Sequence, residues 1–267
     1  MLIPTYHYVF NKSKIGDLGG IKPVWQDQFK IQLKWIIRHY EVLEPNEFLI
    51  NINNKNFIEN NSNKCLITFD DGTIDQFQIA AKILEDLNLK AIFFVLSDVL
   101  KNKKVPLTHL LHIAMCNYES NYLIELILAN ITPDYDYNES EIYYKSGIYA
   151  YEKDISRRLL KYLINYELVN YYDQLTSILL DSLKMNEKSL CEKWFGNEEN
   201  IIKARDNGHI IGNHGKSHKS YETLTNIEIK NEIIDSNKYL EDLLNEKISA
   251  FSHPQGGDNG DKNQFVR

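Results

Sequence analysis

The string Thr68-Phe69-Asp70-Asp71-Gly72 sets two adjacent carboxylates after a short apolar run, and His214 and His218 stand four residues apart much later in the chain. These residue types bind and use a divalent cation. Two imidazoles and one carboxylate form the ligand set of a catalytic zinc site, which leaves a position open for water and substrate. Such an ion lowers the pKa of a bound water towards about 7 and polarises a carbonyl. The carboxylate that does not bind the metal is then free to act as general base towards the attacking water. Metal, base and polarised carbonyl together amount to hydrolysis of an amide or ester. The plainer readings are a helix N-cap for the acidic pair, since Asp favours a first turn, and surface or packed histidines. Both motifs ending on one sheet edge would outweigh those readings.

The elements that must position these residues can be read from hydropathy. Residues 2–9 form a short strand, and apolar residues at helical spacing (Phe29, Leu33, Ile36, Ile37, Tyr40) predict an amphipathic helix over 25–40. Residues 51–63 are polar and Asn-rich, a loop by composition. The run 65–69 is a buried strand, 74–87 a helix and 91–96 a second buried strand. Strand, helix and strand within about thirty residues make a βαβ unit, so the sheet is parallel here. Asp70 and Asp71 then sit at a carboxyl strand end, where α/β folds gather their ligands. From about 105 to 194 the spacing is helical, over 107–115, 122–129, 155–166 and 171–183, with no convincing strand. The α/β pattern returns with a helix over 201–206, a strand over 209–212 and a helix from the capping box Thr225-x-x-Glu228 to about residue 244. A last strand is predicted over 247–252. This divides the chain into 1–104 and 201–267 as two parts of one scaffold, with 105–200 as a helical insertion. The four-residue spacing of His214 and His218 fits one helical turn, which would converge both imidazoles on one ion.

Composition bounds the function. The 267 residues suffice for one large α/β domain, and a net charge of −7 lacks the basic footprint of a nucleic-acid binder. No stretch approaches the roughly 18 apolar residues of a membrane span, and the N-terminus has no signal-peptide pattern. Cys65, Cys116 and Cys191 are few and scattered, which favours free thiols and a cytoplasmic location. Asp134, Asp136 and Asn138 alternate like a calcium loop, but Glu139 and Lys145 stand where Gly and Glu are needed. A solvated acidic loop is the better reading.

The three motifs, 68–72, 214–218 and Phe251-Ser252-His253-Pro254-Gln255-Gly256, resemble those of the polysaccharide deacetylases, the NodB-like group of carbohydrate esterase family 4. The opening Tyr6-His7-Tyr8-Val9 and residues 29–49 also look like the start of that family. The likeness covers roughly residues 1–100 and 200–260. It implies an α/β fold of the distorted (β/α) barrel type. It further implies Asp70 as catalytic base, Asp71, His214 and His218 as ligands of a divalent metal, usually Zn²⁺, and the backbone N–H of Gln255 as oxyanion donor. His253 and Pro254 then contact substrate. The expected reaction is removal of an N-acetyl or N-formyl group from a saccharide or glycan precursor, with metal-bound water as nucleophile.

Two departures follow. The family's third motif often carries an Arg that orients the base; here Ser252 and His253 stand in its place, and His253 is the candidate substitute. The family's later motifs supply a general-acid His, and no Leu-x-His element lies between Gly256 and Arg267. The expectation is therefore a barrel incomplete at its C-terminus, with His109, His112 or His7 as candidate acids. The competing readings are a degenerate, non-catalytic member that binds a glycan or a protein, and a non-haem iron enzyme using two His and one carboxylate.

Overall fold

The computed structural model describes residues 1–12, 20–132 and 135–255; Asp134 and Gly256 fall outside them. The chain opens with β1 (Thr5–Tyr6), β2 (Val9–Phe10) and β3 (Val24–Trp25), followed by α1 (Gln26–His39). The predicted helix over 25–40 is thus found, and it buries Phe29, Leu33 and Ile36, while Ile37 of the predicted stripe is exposed and Tyr40 half-buried. Next come β4 (Glu41–Val42), α2 (Pro45–Asn51), α3 (Lys55–Asn60), β5 (Lys64–Cys65) and β6 (Thr68–Phe69). The residues after Asp75 form a π-helical turn that runs into α4 (Ala81–Asp86), and β7 (Ile92–Val95) and α5 (Ser97–Lys101) follow.

Between β7 and β8 the described residues run largely through helices: α6 (Leu107–Met115), α7 (Ser120–Asn130), α8 (Glu139–Lys145), α9 (Ile155–Tyr162), α10 (Tyr172–Leu183), α11 (Glu187–Trp194) and α12 (Glu198–Asp206). Helices α8 and α11 escaped the hydropathy pattern because each is short and buries only one or two residues. The chain then enters β8 (Ile210–Asn213) and α13 (Asn226–Leu244), the latter capped by Thr225 and Glu228 as predicted.

Strands β1, β6, β7 and β8 form one four-stranded sheet in that order, and every pairing is parallel. The pairs β2–β3 and β4–β5 are parallel as well. The predicted strand over 247–252 is reduced to a single bridge, Asn213 to Phe251, with Ser252 N–H donating to the Asn213 carbonyl (3.0 Å). One bridge is enough to lay the third motif beside the end of β8.

Among the described residues three hydrophobic clusters organise the molecule: a small one of Leu43, Phe48, Leu66, Ile92, Phe94 and Ala250, and two larger ones. One packs the sheet against α1, α4 and α13 through Phe29, Leu33, Phe69, Phe93, Leu84 and Leu240. The other lies within the helical region and includes Leu110, Leu111, Leu123, Ile127, Leu160, Leu163 and Leu175. The end of the helical region is tied to the first motif by a Thr73–Phe195 bridge and by Gly196 N–H donating to the Gly72 carbonyl (3.0 Å).

Candidate metal centre

Three of the four sheet strands deliver the candidate residues to one edge. His7 follows β1, Asp70 and Asp71 follow β6, and His214 follows β8. The bridge at Phe251 adds Ser252 beside them. Carboxyl strand ends are where an open parallel sheet presents its ligands.

The turn after β6 is conformationally demanding. Asp71 has φ +76° and Gly72 φ +67°. A non-glycine residue in the left-handed region is uncommon, and such residues collect at functional sites. A Cβ at Gly72 would stand 3.0 Å from Cγ1 of Val95. Glycine answers both the sign of φ and the lack of room. The turn buries both carboxylates side by side.

His214 and His218 reach Asp71 by a different route from the one their spacing implies. Residues 214–218 are not helical: Gly215 and His218 take φ +83° and +63°. The loop is held from below. Glu232 of α13 accepts from the backbone N–H groups of Lys216 (2.9 Å) and Ser217 (2.8 Å) and from the Ser217 hydroxyl (2.7 Å). Asn213 accepts from Gly215 N–H at 2.7 Å. The turn that converges the imidazoles is therefore a loop pinned by Glu232 and Asn213, and the helical turn is corrected accordingly.

Nε2 of His214 and Nε2 of His218 lie 3.3 and 3.2 Å from Oδ1 of Asp71. All three residues are buried, and their ligand atoms lie within 4.8 Å of one another. The donor set fits a divalent cation. Nδ1–H of His214 donates to the Ser252 carbonyl (2.9 Å), so a neutral ring turns a bare Nε2 lone pair towards a carboxylate oxygen. Asp71 Oδ1 has no aligned hydrogen-bond donor although two ring nitrogens stand next to it. Ligands about 2.1 Å from a tetrahedral ion stand about 3.4 Å apart, close to the spacing seen.

Burial opposes the ionisation of Asp71, yet His109, His214 and His218 hold its carboxyl well below the usual range. Burial pushes His218 down to about 4, which leaves it neutral and able to ligate. Burial also lowers His214, but the two carboxylates outweigh it and raise the ring.

Asp70 is set apart from this group. Burial pushes its carboxyl up and the charge of Asp71 adds to this, while His214, His7 and the Ser252 hydroxyl pull it down. Ser252 Oγ donates to Asp70 Oδ2 at 3.1 Å. The residue that touches the candidate base is thus Ser252, and the expectation for His253 is corrected. His253 has Nδ1 against the Pro254 carbonyl (2.9 Å), a geometry that leaves its ring on the cavity wall, over Tyr221.

The other candidates divide by location. Gln255 lines the cavity with φ +61°, its side-chain amide donating to Thr108 Oγ1 (3.2 Å) and to the His218 carbonyl (3.1 Å). Pro254 is buried and does not line the cavity. His7 is exposed on the cavity, and its backbone carbonyl accepts from Thr73 Oγ1 (3.0 Å) and Gln76 Nε2 (2.7 Å). The same Gln76 amide donates to the Asp70 carbonyl. His112 is half-buried, and its ring is pushed down to about 3, mainly by desolvation. His109 is 3% exposed, with Nε2 3.3 Å from Asp71 Oδ2 and Nδ1 2.5 Å from the Tyr8 hydroxyl. No sequence signal ties His109 to Asp71, because the contact spans helix α6 and the first motif.

These residues open onto a cavity of about 840 Å³. One side carries His7, Asp70, Asp71, His214 and His218, and the helical region supplies Tyr149, Tyr151, Glu152, Lys161 and Tyr166 opposite. Glu152 pairs with Lys161 (2.5 Å) and Lys22 (3.0 Å), which together hold its carboxyl at about 2 against the cost of burial.

The chain thus sets a buried Asp-His-His group on the sheet edge of an α/β fold. The likeness read from the motifs is borne out: residues 170–267 match the family model described as polysaccharide deacetylase. Solved structures agree in fold. The Streptococcus pyogenes deacetylase PplD, in complex with acetate, superposes with a TM-score of 0.54 at 16% identity, covering 100% of this chain and 78% of its own. IcaB from Ammonifex degensii gives 0.54 at 13% identity over 100% and 78%. A de-N-acetylase from Aggregatibacter actinomycetemcomitans gives 0.51 at 12% over 99% and 84%. No curated protein matches the chain.

Proposed function

We propose that this protein is a metal-dependent carbohydrate N-deacetylase. The observation that carries the reading is the convergence of His214, His218 and Asp71 on one buried point, with Asp70 beside them on an open cavity. Asp71, His214 and His218 would hold the cation, and Zn²⁺ suits this mixed nitrogen and oxygen set. When bound it supplies a Lewis acid that polarises the amide carbonyl and makes water more acidic.

The remaining roles belong to the chain. Asp70 takes the proton of the attacking water, and Ser252 holds the carboxylate that receives it. The Gln255 backbone N–H donates to the oxyanion, with its side chain anchored on Thr108 and on the His218 carbonyl. His7 protonates the leaving amine: of the three candidate histidines it alone is solvent-exposed, and its backbone is tied to the turn of Asp70 through Gln76. His253 on the wall contacts the sugar.

The saccharide reading rests on the family of the matched region and on a cavity within the usual range of ligand sites, roughly 300–1,000 Å³. We read residues 1–104 and 201–267 as the deacetylase scaffold, part of a distorted (β/α) barrel, and 105–200 as an insertion that roofs the cavity. The Ser252–Asp70 contact favours catalysis over a degenerate binding role. Metal content measured alongside acetate release from N-acetylated sugars tests the proposal: release should follow Zn²⁺ loading and stop with a chelator. A fully metal-loaded protein that binds glycan and releases nothing would select the non-catalytic reading.

A further inference from the structure

The metal reading above uses one oxygen of Asp71; the other faces a residue that none of the motifs contains. Oδ2 of Asp71 lies 3.3 Å from Nε2 of His109, which α6 carries in from the helical region. Both side chains are only 4% exposed, so water does not screen the contact. Among the described residues His109 Nε2 is buried without an aligned hydrogen bond, and the Asp71 carboxylate is the charged group that stands next to it. On the far side of the ring, Nδ1 meets the buried Tyr8 hydroxyl at 2.5 Å. Phe195 packs edge-on against the same ring, with centroids 5.0 Å apart.

The carboxylate beside Nε2 favours the tautomer with its proton on that nitrogen, and Nδ1 then accepts from the Tyr8 hydroxyl. In that tautomer the ring proton on Nε2 faces Asp71. The carboxylate then has one oxygen turned to a donor and the other to His214 and His218. Metal-site carboxylates are oriented in this way by partners outside the ligand set, whose loss commonly costs about 10–100-fold in metal affinity. Asp71 has particular need of such a partner, because its left-handed backbone sets the carboxylate in a conformation that few residues adopt. The neighbouring Thr108 adds a second tie from the same helix to the site, through Gln255.

We infer that His109, held by Tyr8, is a positioning residue of the metal centre: it fixes Asp71 for cation binding, so the helical region is part of the site and more than a cover over it. This rests on the metal reading given under Proposed function.

The test measures Zn²⁺ affinity by chelator competition for the wild-type protein, His109→Ala, His109→Gln and Tyr8→Phe, with apo-protein melting recorded for each. His109→Ala should weaken Zn²⁺ binding about 10–100-fold. His109→Gln, which keeps an N–H donor, should recover part of the loss, and Tyr8→Phe should weaken binding to a smaller extent. A merely structural role would lower the melting temperature and leave the affinity of the folded protein unchanged. Affinities within twofold of wild type in both His109→Ala and Tyr8→Phe overturn the inference while leaving the metal reading intact. Should His109→Ala fail to fold, Tyr8→Phe decides alone, since it removes a single hydroxyl, and an unchanged affinity there overturns the inference. A wild-type protein that takes up no Zn²⁺ defeats the metal reading and this inference with it.

Discussion

The Ser252 hydroxyl donates a hydrogen bond to Oδ2 of Asp70 across 3.1 Å, joining residues 182 positions apart. The contact exists because a single bridge registers Phe251 against Asn213, which sets the next side chain over the end of β6. It is partly buried and directed at one oxygen of one carboxylate.

Ser252→Ala should therefore lower turnover about tenfold, the scale of losing one hydrogen bond to a charged group. Zn²⁺ uptake should stay at the wild-type level, because the His214 ring is held by the Ser252 backbone carbonyl and not by its hydroxyl. Steady-state kinetics with metal analysis checks this. Unchanged turnover would mean that Asp70 needs no such partner.

His7→Gln should lower turnover by about 10²–10⁴, the usual range for a lost general acid. The side chain is exposed and its tethers are made by the backbone carbonyl, so folding should be unaffected. Circular dichroism and acetate release read the two effects separately. Turnover within twofold of wild type would move the acid role to another residue.

Stability should fall on mild acidification through His209. Burial pushes this ring down to about 4, and its Nδ1 accepts from Ala91 N–H at 3.2 Å. The unfolded chain takes up the proton near pH 6.5 and the folded protein only near 4. Stability is thus fully present above about 6.5 and is lost as pH falls towards 4. The loss is bounded at about 3 kcal/mol, from about 1.4 kcal/mol per pH unit. Urea unfolding at pH 7 and pH 5 should show the drop, and His209→Gln should make it smaller. A wild-type curve without slope over that interval would contradict the assignment.

How much the sequence disclosed depended on the kind of signal. Strand β6 with its acidic pair was legible because an apolar β-branched run ending in Asp-Asp-Gly leaves few other structures open. Helix α1 and the Thr225 cap were legible because period and cap residues are local. The loop of His214 and His218 was not, since a four-residue spacing fits a helical turn as well as a chain reversal at Gly215. Local pattern also could not choose between Ser252 and His253, because bridge register decides which of two neighbours faces the base. His109 was visible only as one histidine among several, for its partner lies across the fold.

Asp70→Asn gives the most direct test of the account, with Zn²⁺ content and acetate release measured on the same sample. The substitution keeps the size of the side chain, and Asp71, His214 and His218 are left intact to bind the ion. Wild-type Zn²⁺ content is expected, with turnover reduced by at least about 10²-fold. A variant that holds Zn²⁺ and turns over at the wild-type rate would contradict it.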